Sequence, residues 1–314
     1  MLETRHPPPS DTSRDAAAIT AARPALSRSV SETLAGGDCS RRRPPWSPTP
    51  AVRLSIALHA LAGLGLLVQP SGWPWLLGAI AANHLFLGVV GMWPRSRLLG
   101  PNLIRLPASR GARGVVALSF DDGPDPDVTP RIMTLLEQHG ATASFFCIGK
   151  RAEAWPEIVR DVARRGHSVE NHTQRHPYAF ACFGLRAMRR EIDAAQITLA
   201  RISGSTPRFF RAPAGLRSPL LDPVLSRSGL RLTAWSRRGH DCVRRDPEAV
   251  LRQITSRLRD GDIVLLHDGS CARTRDGTPV VLAVLPRLLE HLQARGLRAL
   301  SLPHALRAGP GDQT

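Results

Sequence analysis

Lysine is all but missing from this chain: Lys150 is the only one among 42 lysine and arginine residues. The formal charge of +16 therefore rests on arginines scattered through every segment. Nucleic-acid binding needs cations gathered on one face, so that partner is excluded. A basic surface beside anionic lipid fits the distribution better. Cysteine is also sparse. Cys39, Cys147, Cys182, Cys242 and Cys271 are odd in number and show no CxxC spacing, which argues against a disulfide framework and against a cysteine zinc site. No dinucleotide-binding glycine signature follows any expected strand. A cleaved signal peptide does not fit either, because the apolar part begins late and is doubled.

What is present divides the chain into zones. Residues 1–50 are rich in Pro, Arg, Ser and Ala without apolar periodicity, and are expected to be a disordered basic leader. Residues 51–97 are expected to form membrane-anchoring apolar helices. The two stretches, Leu54 to Val68 and Trp73 to Trp93, are split by the turn Gln69-Pro70-Ser71-Gly72. Only the second is comfortably long enough to span. Trp73, Trp75 and Trp93 sit at its ends as an interfacial belt would, whereas Asn83 and His84 near its middle would be costly in lipid. Arg41, Arg42, Arg43 and Arg53 precede the pair, and Arg95, Arg97 and Arg105 follow it. The positive-inside rule then favours a hairpin with both ends in the cytoplasm. If the second stretch alone spans, the downstream domain lies outside. The location is thus membrane-associated with its side open, and the oligomeric state is open too. Residues 98–113 read as a linker, 114–302 as the catalytic domain and 303–314 as a tail.

From Gly114 onward short β-rich runs alternate with helical stretches. About seven strands are expected: Val115 to Phe120, Ala143 to Ile148, His167 to Asn171, Arg208 to Arg211, Leu230 to Trp235, Ile263 to His267 and Leu297 to Leu300. Thr129-Pro130, Ser218-Pro219, Asp246-Pro247 and Thr278-Pro279 each offer a capping oxygen followed by a proline. Gly140, Gly166, Gly229 and Gly296 close helices. The fold class is α/β, a distorted (β/α)7-type barrel preceded by N-terminal apolar helices.

The unusual polar residues fall at the C-terminal ends of these strands, where βα barrels assemble their active sites. Asp121-Asp122 by themselves would pass for solvated turn residues. Adjacent carboxylates can also divide labour, one binding a cation and one taking a proton from the water it activates. His172 and His176 are spaced to meet one ion. Two histidines and a carboxylate leave coordination positions open, as a catalytic metal needs. Arg211 could hold Asp121 bidentately and keep it ionised. His267 is the candidate general acid.

The runs SFDDGP, NHTQRHP, RAPAG and LLHDG, in this order, resemble the polysaccharide deacetylase family with the NodB homology domain, carbohydrate esterase family 4, over roughly Arg113 to Leu302. The resemblance implies a distorted (β/α) barrel and a divalent metal, usually zinc, held by Asp122, His172 and His176. It further implies Asp121 as base, Arg211 as the residue orienting it, and Asp241 as partner of His267. Trp235 and Pro213 would contact substrate, and the Ala214 N–H would hold the oxyanion. Two positions depart from the pattern: Arg238 replaces an aspartate and Cys242 a tryptophan, which puts the sugar-binding wall in doubt more than the chemistry.

The implied function is metal-dependent removal of N-acetyl groups from amino-sugar glycans or lipid-linked sugars. The alternatives are an O-acetyl esterase or deformylase acting on a lipid-linked sugar, and a non-catalytic membrane-tethered glycan-binding module. The expected partners are an acetylated glycan or lipid-linked saccharide and a membrane.

Overall fold

The structure, a computed structural model, describes residues 46–107 and 114–307. The expected leader up to residue 45 lies outside the described residues, as do 108–113 and 308–314.

Two apolar helices come first, α1 (Pro50–Val68) and α2 (Trp73–Gly91), joined by a short turn at Pro70–Gly72. The first stretch is longer than its apolar run suggests. Thr49 caps α1 by accepting from the Val52 N–H, and Pro50 starts it, so the helix has 19 residues, as does α2. That length is about 28 Å, close to the thickness of a bilayer's hydrocarbon core. The helices pair antiparallel: Asn83 Nδ2 donates to Ser55 Oγ at 2.9 Å, and the His59 and His84 Nε2 atoms lie 3.3 Å apart. Both ends of the hairpin therefore lie on the same side. Most of their large apolar side chains are exposed, Leu67 at 82% and Trp75 at 85% among them.

The rest is a curled, all-parallel sheet of eight strands wrapped by helices. β1 (Val115–Asp121) runs through its centre and every residue of it is buried. A near-continuous apolar run such as VVALSF suits a strand covered on both faces. On one side of β1 lie β2 (Ser144–Cys147), β3 (Ser168–Asn171), β4 (Phe209–Phe210) and β5 (Arg231–Leu232). On the other lie β7 (Ile263–His267) and then β6 (Arg237–Arg238). β8 (Arg298–Leu300) pairs with the lower half of β1.

The expected fifth strand, Leu230 to Trp235, is cut short. Arg211 takes the carbonyls of Thr233 and Ala234, and the chain ahead of β1 pairs with the same stretch. That chain is the expected linker, and it is built into the barrel. Leu103 pairs with Thr233 and Arg105 with Asp262, while Leu103 and Leu106 pack in the core. Part of the expected tail is likewise a helix, α10 (Leu302–Arg307), with Leu302 and Ala305 buried.

Of the four expected caps, only Asp246 serves as one, accepting from the Glu248 N–H. Thr129 has a different task. Its hydroxyl donates to Asp268 Oδ2 at 2.6 Å, and α3 (Thr129–Gln138) starts without a side-chain cap. Gly140, Gly166, Gly229 and Gly296 all adopt positive φ just past helix ends, as the glycine spacing required.

Candidate active site

The C-terminal ends of β1, β3, β4 and β7 converge on a cavity of about 600 Å³. Asp121, Asp122, His172, His176, Pro213, Ala214, Trp235 and His267 all line it. Arg211 and Asp241 stand directly behind.

Asp121 ends β1 and is 4% exposed. Arg211 Nη1 donates to its Oδ1 at 2.6 Å and to Ser119 Oγ at 3.0 Å. The expected bidentate grip is not formed, because Nε and Nη2 donate instead to the Thr233 and Ala234 carbonyls. The guanidinium also lies 4.0 Å over the Phe146 ring. All three nitrogens of the guanidinium are thus engaged, which fixes the one prong that reaches the carboxylate.

Asp122 turns off the strand with φ 72°, and its carboxylate enters the same cavity as that of Asp121. Its Oδ1 is 3.2 Å from His172 Nε2 and 3.3 Å from His176 Nε2. One donor atom from each of these three residues lies within 4.8 Å of the others. His172 Nδ1–H donates to the Arg211 carbonyl at 2.8 Å, leaving the Nε2 lone pair for the cavity. A second-atom bond of this kind sets the tautomer a metal ligand needs. Burial works against the Asp122 charge, but hydrogen bonding and charge from His172 outweigh it and hold the carboxyl well below the usual range. Two imidazole nitrogens and one carboxylate oxygen fit a divalent cation such as zinc and leave open positions.

His267 ends β7, and its Nδ1 and backbone N–H both bond to the fully buried Asp241, at 2.9 and 2.8 Å. Burial pulls the imidazolium down, yet the Asp241 carboxylate, by charge and hydrogen bond, overrides this and the value rises to about 9.

Ala214 sits in the turn Pro213–Gly215 with φ 54°. The neighbouring N–H groups of Gly215 and Leu216 are engaged by the Ala212 and Pro213 carbonyls. Trp235 lies between two cations, its ring 5.9 Å from Arg211 and 5.2 Å from Arg238. The two departures from the family pattern touch each other: Arg238 Nη2 is 3.5 Å from Cys242 Sγ, and both line the cavity.

Several residues that surround the site were not picked out from the sequence. Glu191 of α6 (Leu185–Ser203) accepts from the Gln174 and Arg175 N–H groups, pinning the loop that carries both histidines. Arg151 Nη1 donates to the Asp122 carbonyl at 2.8 Å. Asp268, adjacent to His267, is buried and carries an unpartnered Oδ1. Desolvation raises its carboxyl to about 7 against the hydrogen bond from Thr129. Asp122, His176, Ala214 and Ser270 all hold positive φ and all line the cavity. Backbone strain gathers at such places, and no composition rule announces it.

Residues 108–233 match the model of the family described as polysaccharide deacetylase. The chitooligosaccharide deacetylase of Azorhizobium caulinodans is 36% identical over 195 residues, which cover 60% of this chain and 92% of that protein. This chain belongs to the polysaccharide deacetylase family. The peptidoglycan-N-acetylglucosamine deacetylase of Bacillus cereus is 31% identical, with 62% of this chain and 88% of that one covered. The structure of a family 4 carbohydrate esterase from Streptomyces lividans, solved with acetate, is 33% identical with a TM-score of 0.54, covering 59% of this chain and 91% of that one. The protein is accordingly an enzyme of the deacetylase type, and its curled parallel barrel is the fold of that family.

Proposed function

We propose that the protein is a metal-dependent N-deacetylase of amino sugars, held at a membrane by its N-terminal hairpin. The observation that carries this reading is the convergence of Asp122, His172 and His176 on one point, in the same cavity as Asp121 and His267. The deacetylase names of the relatives support the bond type, and the acetate in the esterase structure supports the product.

A divalent cation, zinc in the first instance, would be held by Asp122 Oδ1 and the two Nε2 atoms, lowering the pKa of a water and polarising the acetyl carbonyl. Asp121 takes the proton as the water oxygen attacks the carbonyl carbon. Arg211 keeps the Asp121 carboxylate in place for that transfer. The Ala214 N–H, fixed by its strained turn, faces the developing oxyanion. His267, aligned by Asp241, gives its proton to the nitrogen as the C–N bond breaks, and acetate and a free amine leave. Trp235 and Pro213 form the wall against which the sugar ring rests.

His172→Ala is expected to take bound metal from about one equivalent to near none and to abolish acetate release. Elemental analysis of the purified protein beside an acetate assay on N-acetylated chitooligosaccharide checks both. Full metal occupancy in that variant would refute the assigned ligand set.

The acid role has a pH signature. His267 is active when protonated, so its contribution is present below its pKa and lost as pH rises through it. Asp241 is the main group raising that pKa. Asp241→Asn should therefore move the alkaline limb of kcat/KM downward by about one unit or more. An unmoved alkaline limb would show that His267 is not the acid.

A further inference from the structure

The lining of the catalytic cavity carries four cations that the deacetylation chemistry does not use: Lys150, Arg151, Arg175 and Arg238. Among the described residues Lys150, Arg151 and Arg238 have no carboxylate within ion-pair distance, and Arg175 has one, the loosely held Glu191. The Lys150 side chain is exposed and makes no ion pair or hydrogen bond among the described residues. Arg151 bonds to the Asp122 carbonyl and reaches Ser270 Oγ at 3.4 Å, both neutral groups. Arg175 is 68% exposed and lies 3.7 Å from Glu191. Arg238 leans on Trp235 and Cys242, and its buried Nε has no partner. The two acids of the cavity, Asp121 and Asp122, already face Arg211 and the histidines. A neutral acetylated sugar offers these cations acceptor oxygens but no countercharge, whereas a phosphate offers a charge-assisted hydrogen bond.

The same cavity sits at the foot of the hairpin. The chain leaves α2 at Gly91, whose carbonyl accepts from the Arg217 N–H, and Pro94 then packs against Gly215 in the cavity wall. A methyl group added at Gly215 would come within 2.9 Å of Pro94 Cβ and 2.6 Å of Trp235 Cη2. Asn102 Nδ2 ties the segment down through the Pro94 and Ser96 carbonyls, and Thr49 Oγ1 through that of Leu98. Arg53, Arg95 and Arg97 gather at this foot, while the far turn, Gln69 to Gly72, has no charge. That asymmetry directs the foot and the cavity to the cytoplasmic face, where head groups of the inner leaflet are within reach and external polymers are not.

We infer that the substrate is an N-acetylated saccharide joined to a membrane lipid through a phosphate or diphosphate, an inference that rests on the deacetylase reading. The full chain in phosphatidylcholine vesicles would be assayed on three probes: polyprenyl-diphosphate-linked N-acetylglucosamine in the same vesicles, soluble uridine-diphosphate N-acetylglucosamine, and uncharged N-acetylated chitotetraose. The expected order places the lipid-linked probe at least about tenfold ahead of the nucleotide sugar in kcat/KM, and about a hundredfold ahead of the uncharged oligomer. Lys150→Gln and Arg238→Gln should each reduce the preference for the lipid-linked over the uncharged probe about tenfold, through KM. Equal turnover of the nucleotide sugar would remove the lipid from the inference. Equal turnover of the uncharged oligomer would overturn it while leaving deacetylation intact. Release from none of the three would overturn the deacetylase reading and this inference with it.

Discussion

Asp121→Asn should lower kcat by about a thousandfold, within the range expected for loss of a general base, while bound metal stays at the wild-type level. The side chain is nearly isosteric, so its oxygen can still accept from Arg211 Nη1, now 2.6 Å away. What disappears is the negative charge that takes the water's proton. The proposed metal ligands are separate atoms: both imidazole Nε2 atoms face Asp122 Oδ1, and neither histidine forms an ion pair with Asp121 among the described residues. An effect on kcat with little change in KM is the mark of an interaction made in the transition state. Steady-state rates of acetate release with elemental analysis of the same preparation measure it. Wild-type turnover in this variant would remove Asp121 from the mechanism.

The second large effect is on stability. Arg211 is 1% exposed and holds Asp121, Ser119 and the carbonyls of Thr233 and Ala234 while stacking on Phe146. Arg211→Met keeps much of the volume but leaves a buried carboxylate and two buried carbonyls unpartnered. The expected cost is about 3–5 kcal/mol, typical of breaking a buried charge pair from one side. Chemical unfolding of the domain measures it. In the double variant with Asp121→Asn the losses should fall short of additive, because the stranded carboxylate is then gone. A loss under about 1 kcal/mol, as for an exposed pair, would mean that Arg211 is not the strut its geometry describes.

The barrel was legible because its signals are local. VVALSF can hardly be other than a buried central strand, and the glycines past each helix do stop it. The candidate residues were legible because polar groups at strand ends are conspicuous against apolar runs. The failures share one cause, which is that long-range partners outrank local pattern. Thr129 has the residue type of a helix cap but donates to Asp268, remote in sequence. The segment around Leu103 has too little periodicity to look like structure, yet it completes the sheet where Arg211 has drawn off the carbonyls of the fifth strand. The bidentate grip on Asp121 was reasonable for an arginine beside a carboxylate, but two backbone carbonyls compete for the same fork. Lys150 looked like a trace of composition, and only the fold brings it to the rim of the cavity with Arg151, Arg175 and Arg238.

The most direct test of the account is stoichiometric. The full-length protein, stripped with a chelator and reloaded with zinc, would be given an N-acetylated amino-sugar substrate while acetate, formate and free amine are counted together. No release is expected without metal, and after reloading one acetate for each new amine, with no formate. Undiminished hydrolysis by the stripped protein, or acetate without a matching amine, would contradict it.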